Sequence, residues 1–342
     1  MAETKRAFWE EKNTAFIPGE PSMDLLHPGA REEVASPELT ETQYLGFNVP
    51  EHDIHGFCYL WHHPNLGVVS GGVWAWRGVK AHNLDCELFD MLIYVDDAVL
   101  ANDLHAVELP NGYRVSMVDP LRRLRVAYED EARGNRLDLQ FDAIMEPMVL
   151  AAGGHFEQAM HVTGDLRLAG VDYTVDGHSV RDRSWGAPRS EAHVSAPPMG
   201  WMTGVFGDDL AFGTTAFDSE DTDPEWKGKM ALPGGDPLRG GWVMRDGELF
   251  PVVAVSKRTH RNAQTLFPEA VDLTITDASG VRMELRGTVK AAAPWQAWHN
   301  FESVICLVEW EYEGRVGYAD LQEVRFKDYI RRFIGGRDGT VA

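Results

Sequence analysis

Cysteine is scarce in this chain, with three in 342 residues. Cys58, Cys86 and Cys306 lie far apart, are odd in number and form no C-x-x-C pair, which excludes a disulfide scaffold and a zinc ribbon. Each is expected to be a small core residue. No window approaches the roughly 18 consecutive apolar residues of a membrane helix. The N-terminal MAETKRAFWEEK carries no apolar signal core, so the expected location is the cytoplasm. Basic residues are outnumbered, 32 Lys and Arg against 53 Asp and Glu, for a formal net charge of −21. Such a chain repels nucleic-acid phosphates and anionic membrane surfaces. The largest basic clusters are Arg122-Arg123-Arg125 and Arg331-Arg332. The expected partner is a hydrophobic small molecule, with no nucleic acid and no membrane span; a homodimer stays open.

Several chemistries lack their motifs. GVVSGGVW contains glycines without the G-x-G-x-x-G spacing between a strand and a helix, and there is no P-loop. No G-x-S-x-G elbow is present, which excludes a serine hydrolase of that type. No organic cofactor is assigned. H-E-x-x-H is also absent, and the adjacent His62 and His63 point to opposite faces of a strand, so no catalytic metal is expected. His161 and His178, with Glu157 or Asp182, form the only constellation able to ligate one.

What is present is a long succession of strands. Hydrophobic residues make up 44% and charged residues 25%, enough for a full core and far from the disorder signature. Residues 1–40 read as a loop-rich segment. From there LGVVSGGVWAWRG, FDMLIYV, YRVSMVD and NRLDLQFDAIME alternate or carry β-branched and aromatic residues between turn signals. APRSEAHVSAPPMG, rich in Pro, Ser and Ala, reads as a crossing linker, and strands then resume. Hairpin turns are expected at Gly207-Asp208-Asp209, Asp246-Gly247, Ser279-Gly280 and Glu313-Gly314. A polar loop from Asp221 to Gly241 has the length of a lid. Closely spaced hairpins indicate all-β barrels or sandwiches. The expected domains are 41–190 and 191–342, meeting near residues 187–199, with helix below about 15% of the chain.

Residues 155–186, HFEQAMHVTGDLRLAGVDYTVDGHSVRDRSWG, concentrate the ionisable groups. Side chains alternate between the faces of a strand. Phe156, Met160, Val162, Leu166 and Leu168 form a core face, and His155, Glu157, His161 and Asp165 form the other. A two-residue turn at Ala169-Gly170 sets His161 opposite His178 and Glu157 opposite Asp182. A wet outer face would look similar, because polar-out alternation is the default for antiparallel sheets. The strand's end, Asp182-Arg183-Ser184-Trp185-Gly186, suits a pocket wall better: a carboxylate and a large aromatic sit together there, and an aromatic ring stabilises positive charge. Inside a low-dielectric cavity, crowded carboxylates have one pKa raised and hold a proton near neutral pH. Asp182 is accordingly the candidate acid or base, with His178, Glu157 and His161 tuning or relaying the proton. The competing reading makes Asp182 an acceptor for backbone N–H groups and Trp185 a plug.

GHSVRDRSWG resembles the Gly-x-x-x-(Arg/His)-Asp-His-x-Trp-Gly signature of the lipocalin-like tandem-barrel proteins. That group includes carotenoid 1,2-hydratases, AttH-like proteins and lipocalin-like Diels–Alderases. HFEQAMHVTGDLRL, WMTGVF and GYADLQE also resemble family landmarks, so the similarity spans about residues 40–330. Arg183 stands where many relatives have His. The resemblance implies two lipocalin-like β-barrels or half-barrels in tandem, with a hydrophobic ligand in a cleft or barrel cavity. Trp185, Arg183, Trp201, Tyr318 and Glu323 are the candidate substrate-binding residues, Glu323 at a position that resembles the family's and faces the interdomain cleft. The implied activity is that of a cofactor-independent lyase or hydratase acting on a terpenoid, steroid, polyketide or aromatic compound. A non-catalytic carrier, and an isomerase or cyclase using the same site, remain as alternatives.

Overall fold

The computed structural model describes residues 12–27, 37–151, 153–185, 195–219, 230–296, 298 and 300–331. Strand content is 64% and helical content 8%, far below the usual helical share. Two β units account for nearly all of it. The first is an antiparallel sheet of β1 (Phe16–Ile17), β2 (Glu41–Val49), β3 (Ile54–His63), β4 (Val68–Arg77), β5 (Leu88–Asp96), β6 (Ala106–Glu108), β7 (Arg114–Asp119), β8 (Arg123–Asp130), β9 (Asn135–Ala143), β10 (Met148–Leu150), β11 (His155–Leu168) and β12 (Val171–Ser184). Its main path runs β5-β4-β3-β2-β12-β11-β9-β8-β7-β6, with β10 added to the end of β11 and β1 to β10. The second is a closed barrel of β13 (Met199–Val205), β14 (Leu210–Phe217), β15 (Leu238–Arg245), β16 (Glu248–Arg261), β17 (Pro268–Asp277), β18 (Arg282–Trp295), β19 (Phe301–Tyr312) and β20 (Arg315–Phe326). The architecture is therefore a curled half-barrel followed by a full barrel, the tandem lipocalin-like arrangement.

Period-two alternation explains the half-barrel's core. Leu124 and Val126 on β8, Leu137 and Leu139 on β9, and Met160 and Val162 on β11 pack on its concave side with Leu45 and Phe47 of β2. The barrel encloses its own core of Met202, Phe212, Val243, Leu273, Val308 and Leu321. A third cluster joins the two units. Tyr44, Phe57, Trp74 and Trp76 of the sheet meet Val205, Trp242, Ala291, Ile305 and Leu307 of the barrel. The units are also stitched by backbone: Lys80 N–H donates to Ala292 O (2.8 Å), and Ala292 N–H to Gly78 O (3.1 Å).

The hairpin of β11 and β12 has the register that the alternation predicts. Leu168 pairs with Val171, His161 with His178 and Glu157 with Asp182. Ala169 and Gly170 both have positive φ (49° and 83°), as a type I′ turn requires, and its twist matches that of the flanking strands. Asp246-Gly247 and Glu313-Gly314 turn in the same way. The turn around Ser279-Gly280 is longer, because the Asp277 carboxylate accepts from the N–H groups of Ser279 and Val281 and holds the loop open. Gly186 and most of the linker, together with the part of the 221–241 loop before Met230, lie outside the described residues.

Candidate active site between the sheet and the barrel

The face of β11 and β12 that carries Glu157, His161, His178 and Asp182 changes surroundings along its length. At one end it is covered by the barrel. Glu157 is buried there, with Trp201 Nε1 donating to one carboxylate oxygen at 2.5 Å and Trp242 Nε1 to the other at 2.6 Å. His155 Nε2 lies 3.3 Å away, its Nδ1 held 2.8 Å from Ser184 Oγ. Burial pushes the Glu157 pKa up, but the hydrogen bond and charge of His155 and the two indole N–H groups outweigh it, and the net shift is downward. Glu157 is therefore a clamped, ionised anion between the two units.

Directly across from Glu157, on β12, the environment opens. Asp182 and Tyr44, paired across β12 and β2, line a cavity of about 60 Å³ between sheet and barrel. That is several times the ~10–15 Å³ that one water occupies. Its remaining polar lining is Thr42, Ser184, Ser303 and Gln322, and its apolar walls include Tyr59, Trp201, Trp295, Trp298 and Phe301. The sheet thus supplies the acid and the phenol, and the barrel and its loops supply most of the aromatic wall.

Behind Tyr44 stands a group that the sequence reading did not assign. Asp320 of β20 is 2% exposed, and the Tyr44 hydroxyl donates to its Oδ2 at 2.5 Å. His55 Nε2 is 3.5 Å from its Oδ1, too far for a hydrogen bond of useful strength. Burial raises the Asp320 pKa; the Tyr44 hydrogen bond opposes this, the nearby Asp182 charge adds to it, and the result is about 7. Burial also depresses His55 to about 3, so that ring is neutral. Tyr44, buried beside Asp320, is held well above the ordinary phenol value. By period-two alternation Asp320 shares a row of β20 with Tyr318 and Gln322. The signal that it is buried lies on the neighbouring strand. β19 reads Val304-Ile305-Cys306-Leu307-Val308, apolar on both faces, and a strand buried on both faces implies that the outward row beside it is covered too.

The other candidate residues are placed elsewhere. His161 and His178 stack on each other at 5.0 Å between ring centroids, but they lie four residues along the strands, about 13 Å from Glu157 and Asp182 at the strand rise. There His161 pairs with Asp176 (2.8 Å) and His178 with Asp208 of the barrel (3.0 Å) at the protein surface. Arg183 and Trp185 point the opposite way from Asp182, as alternation demands. Arg183 is buried against Glu41 (3.2 Å) and donates to Leu25 O (2.9 Å), and burial lowers its pKa. Trp185 stacks on His27 at 4.1 Å with a 3° interplanar angle and touches Phe156, so it packs under the N-terminal segment. Trp201 does wall the cavity. Tyr318 is on the cavity-facing row of β20 but at its far end, donating to Glu309 (2.7 Å). Glu323 projects into the barrel instead, where Arg261 grips it through two 2.8 Å bonds in a buried network with Asp218 and Lys257. Among the described residues, no group of three or more His, Cys, Asp or Glu is placed to hold a metal ion. None of their helices is long and apolar enough to cross a membrane.

Among solved structures, kievitone hydratase from Nectria haematococca is similar, with a TM-score of 0.51 and 11% identity over 95% of this chain and 100% of that one. CghA is similar at a TM-score of 0.53 and 12% identity, over 94% of this chain and 96% of that one. These are lipocalin-like tandem-barrel proteins, and at such identities the likeness is one of fold. No curated protein matches the sequence. The model of a family described as a domain of unknown function (DUF7064) matches residues 21–326, and the chain belongs to that family.

Proposed function

We propose that this member of the DUF7064 family is a cofactor-independent enzyme of the lyase or hydratase kind, acting by acid–base chemistry on a hydrophobic small molecule in the cavity between sheet and barrel. One observation carries the reading: the carboxyl group of Asp182 and the phenol of Tyr44 share the wall of a cavity whose other walls are largely aromatic. Adding water to an alkene, or removing it, needs one group to exchange a proton with carbon and another to exchange a proton with the water oxygen. It also needs a site that tolerates developing positive charge. The rings of Trp201, Trp295 and Trp298 supply that through their negative faces. The wall suits terpenoid, steroid, polyketide or aromatic skeletons, and the acidic protein as a whole disfavours polyanions. The name of kievitone hydratase records a hydration in the shared fold, which accords with this reading without fixing the substrate. A carrier of apolar ligands would have no use for a carboxyl group at this wall. An isomerase or cyclase would employ the same groups and differ in the fate of the cation.

The test is a panel of terpenoid and prenylated aromatic alkenes incubated with the protein in ¹⁸O-labelled water, with product oxygen read by mass spectrometry. Asp182→Asn preserves shape and removes the titrating group. Label incorporation should fall roughly 10²–10⁴-fold with the melting temperature unchanged. Undiminished incorporation with a lowered melting temperature would instead make Asp182 a structural acceptor.

A further inference from the structure

We infer that Asp320 acts on the cavity through Tyr44, as a couple whose hydrogen-bond direction reverses with the proton on Asp320. With Asp320 ionised, the Tyr44 hydroxyl donates to it and can only accept from a ligand. With Asp320 protonated, the acid donates to the phenol oxygen and frees the Tyr44 proton for the cavity. The inference deepens the proposed function and rests on it. It makes Tyr44 the catalytic proton donor and Asp320 the residue that positions and resupplies its proton.

Five features of the geometry carry this. Tyr44 lines the cavity beside Asp182, and its hydroxyl is 2.5 Å from Asp320 Oδ2. Asp320 itself is buried behind the phenol, so its exchange with the cavity runs through that hydroxyl. Among the described residues, none donates a hydrogen bond to its Oδ1; a buried carboxylate this poorly solvated favours its neutral form. Its backbone is fixed by Thr203, whose Oγ1 accepts from Asp320 N–H (3.1 Å) and lies 3.3 Å from Asp320 O. The facing titratable groups are Tyr44 on β2, neutral His55 on β3 and Asp182 on β12. The thiols of Cys58 and Cys306 lie nearby and are pushed up by burial. Among the described residues, no ion pair joins a lysine or arginine to Asp320.

In a hydration, the Tyr44 proton goes to an alkene carbon while the Asp320 proton moves to the phenol oxygen. Water adds to the adjacent carbon and yields its proton to the Asp182 carboxylate. One C–H and one C–O bond form, and the π bond and one O–H bond of water are lost. The proton from Asp320 replaces the one Tyr44 gives to carbon, and Asp182 holds the proton from water; passing that proton back to Asp320 through the Tyr44 hydroxyl restores the starting state. Elimination is the reverse.

The test uses acetophenone, an apolar ligand that only accepts hydrogen bonds, titrated calorimetrically at several pH values in buffers of different ionisation enthalpy. The intact protein should bind it about tenfold more weakly per pH unit above about pH 7, and take up close to one proton on binding there. In Asp320→Asn the amide donates permanently to Tyr44, so high-pH affinity should rise to the low-pH value and the uptake should vanish. A purely structural aspartate would not produce that gain. Tyr44→Phe should bind weakly at every pH without uptake. Proton uptake persisting in either variant overturns the inference while leaving the cavity reading intact. No acetophenone binding by the intact protein at any pH overturns both. Should Asp320→Asn fail to fold, Tyr44→Phe decides alone.

Discussion

His55 and Asp320 sit 3.5 Å apart in the interface, and burial acts on them with opposite sign. Asp320 keeps its proton in the fold up to about pH 7, whereas its ordinary value is 3.8. Across that interval the folded protein holds the extra proton, so this residue makes stability fall as pH rises. His55 is neutral in the fold down to about pH 3, against an ordinary 6.5. There the unfolded chain holds the extra proton, and stability rises with pH. Each contribution is on the order of 4 kcal/mol, so in the intact protein they largely offset each other between pH 4 and 6. Substitution should separate them. Asp320→Asn should match the parent near pH 4 and become progressively more stable relative to it up to about pH 7, then level off. Urea denaturation midpoints across that range measure it. A stability difference independent of pH would mean that Asp320 does not carry a proton into the fold.

At the scale of elements, the β11–β12 hairpin shows what alternation can and cannot specify. Its turn, register and faces are legible because a one-residue slip would move Met160, Val162 and Leu166 out of the core. The same rule fixes that Asp182 looks toward the cavity and that Arg181 and Arg183 look away. What those arginines meet is not legible, since their partners come from the distant N-terminal segment. Asp24 is fully buried and receives Arg181 at 2.7 and 3.1 Å, with Gln158 Oε1 accepting from the same guanidinium. The segment read as loop is thus a plug that neutralises a buried cation and covers Trp185 through His27. Asp24→Ala should cost about 3–5 kcal/mol, because it strands a desolvated guanidinium. Replacing both partners, as Asp24→Leu with Arg181→Met, should recover most of that loss in urea denaturation. Equal losses in the single and double variants would show that the pair's charge is not the source.

The whole molecule adds what neither hairpin nor plug contains. Tyr44 and Asp320 are 276 residues apart in sequence and meet at 2.5 Å because two independently legible β units dock along one face. Nothing in a strand's period encodes which outward row it will present to another sheet. The aromatic count hinted at it, since Trp74 and Trp76 are only two apart and so share one face of β4. That docking face is costly to expose. Phe57, Trp74, Trp76 and Trp242 are each fully buried, and at roughly 1.5–3 kcal/mol apiece they contribute about 6–12 kcal/mol. A typical domain has only about 5–15 kcal/mol of stability in total. Separating the units while both stay folded would therefore cost nearly as much as unfolding one of them, and would also strand the Glu157 carboxylate without its two indole donors. Sheet and barrel should then unfold as one cooperative unit. Hydrogen exchange followed by mass spectrometry in increasing urea measures this, with peptides from β8–β9 reporting the sheet and peptides from β17–β18 reporting the barrel. Both should become labelled at the same denaturant midpoint. Trp76→Ala should lower the two midpoints together, by the roughly 3–5 kcal/mol that a large-to-small change in a packed core costs. Two separated transitions, with only the sheet responding to Trp76→Ala, would mean that the units are stable alone and that their cavity opens and closes by rigid-body motion.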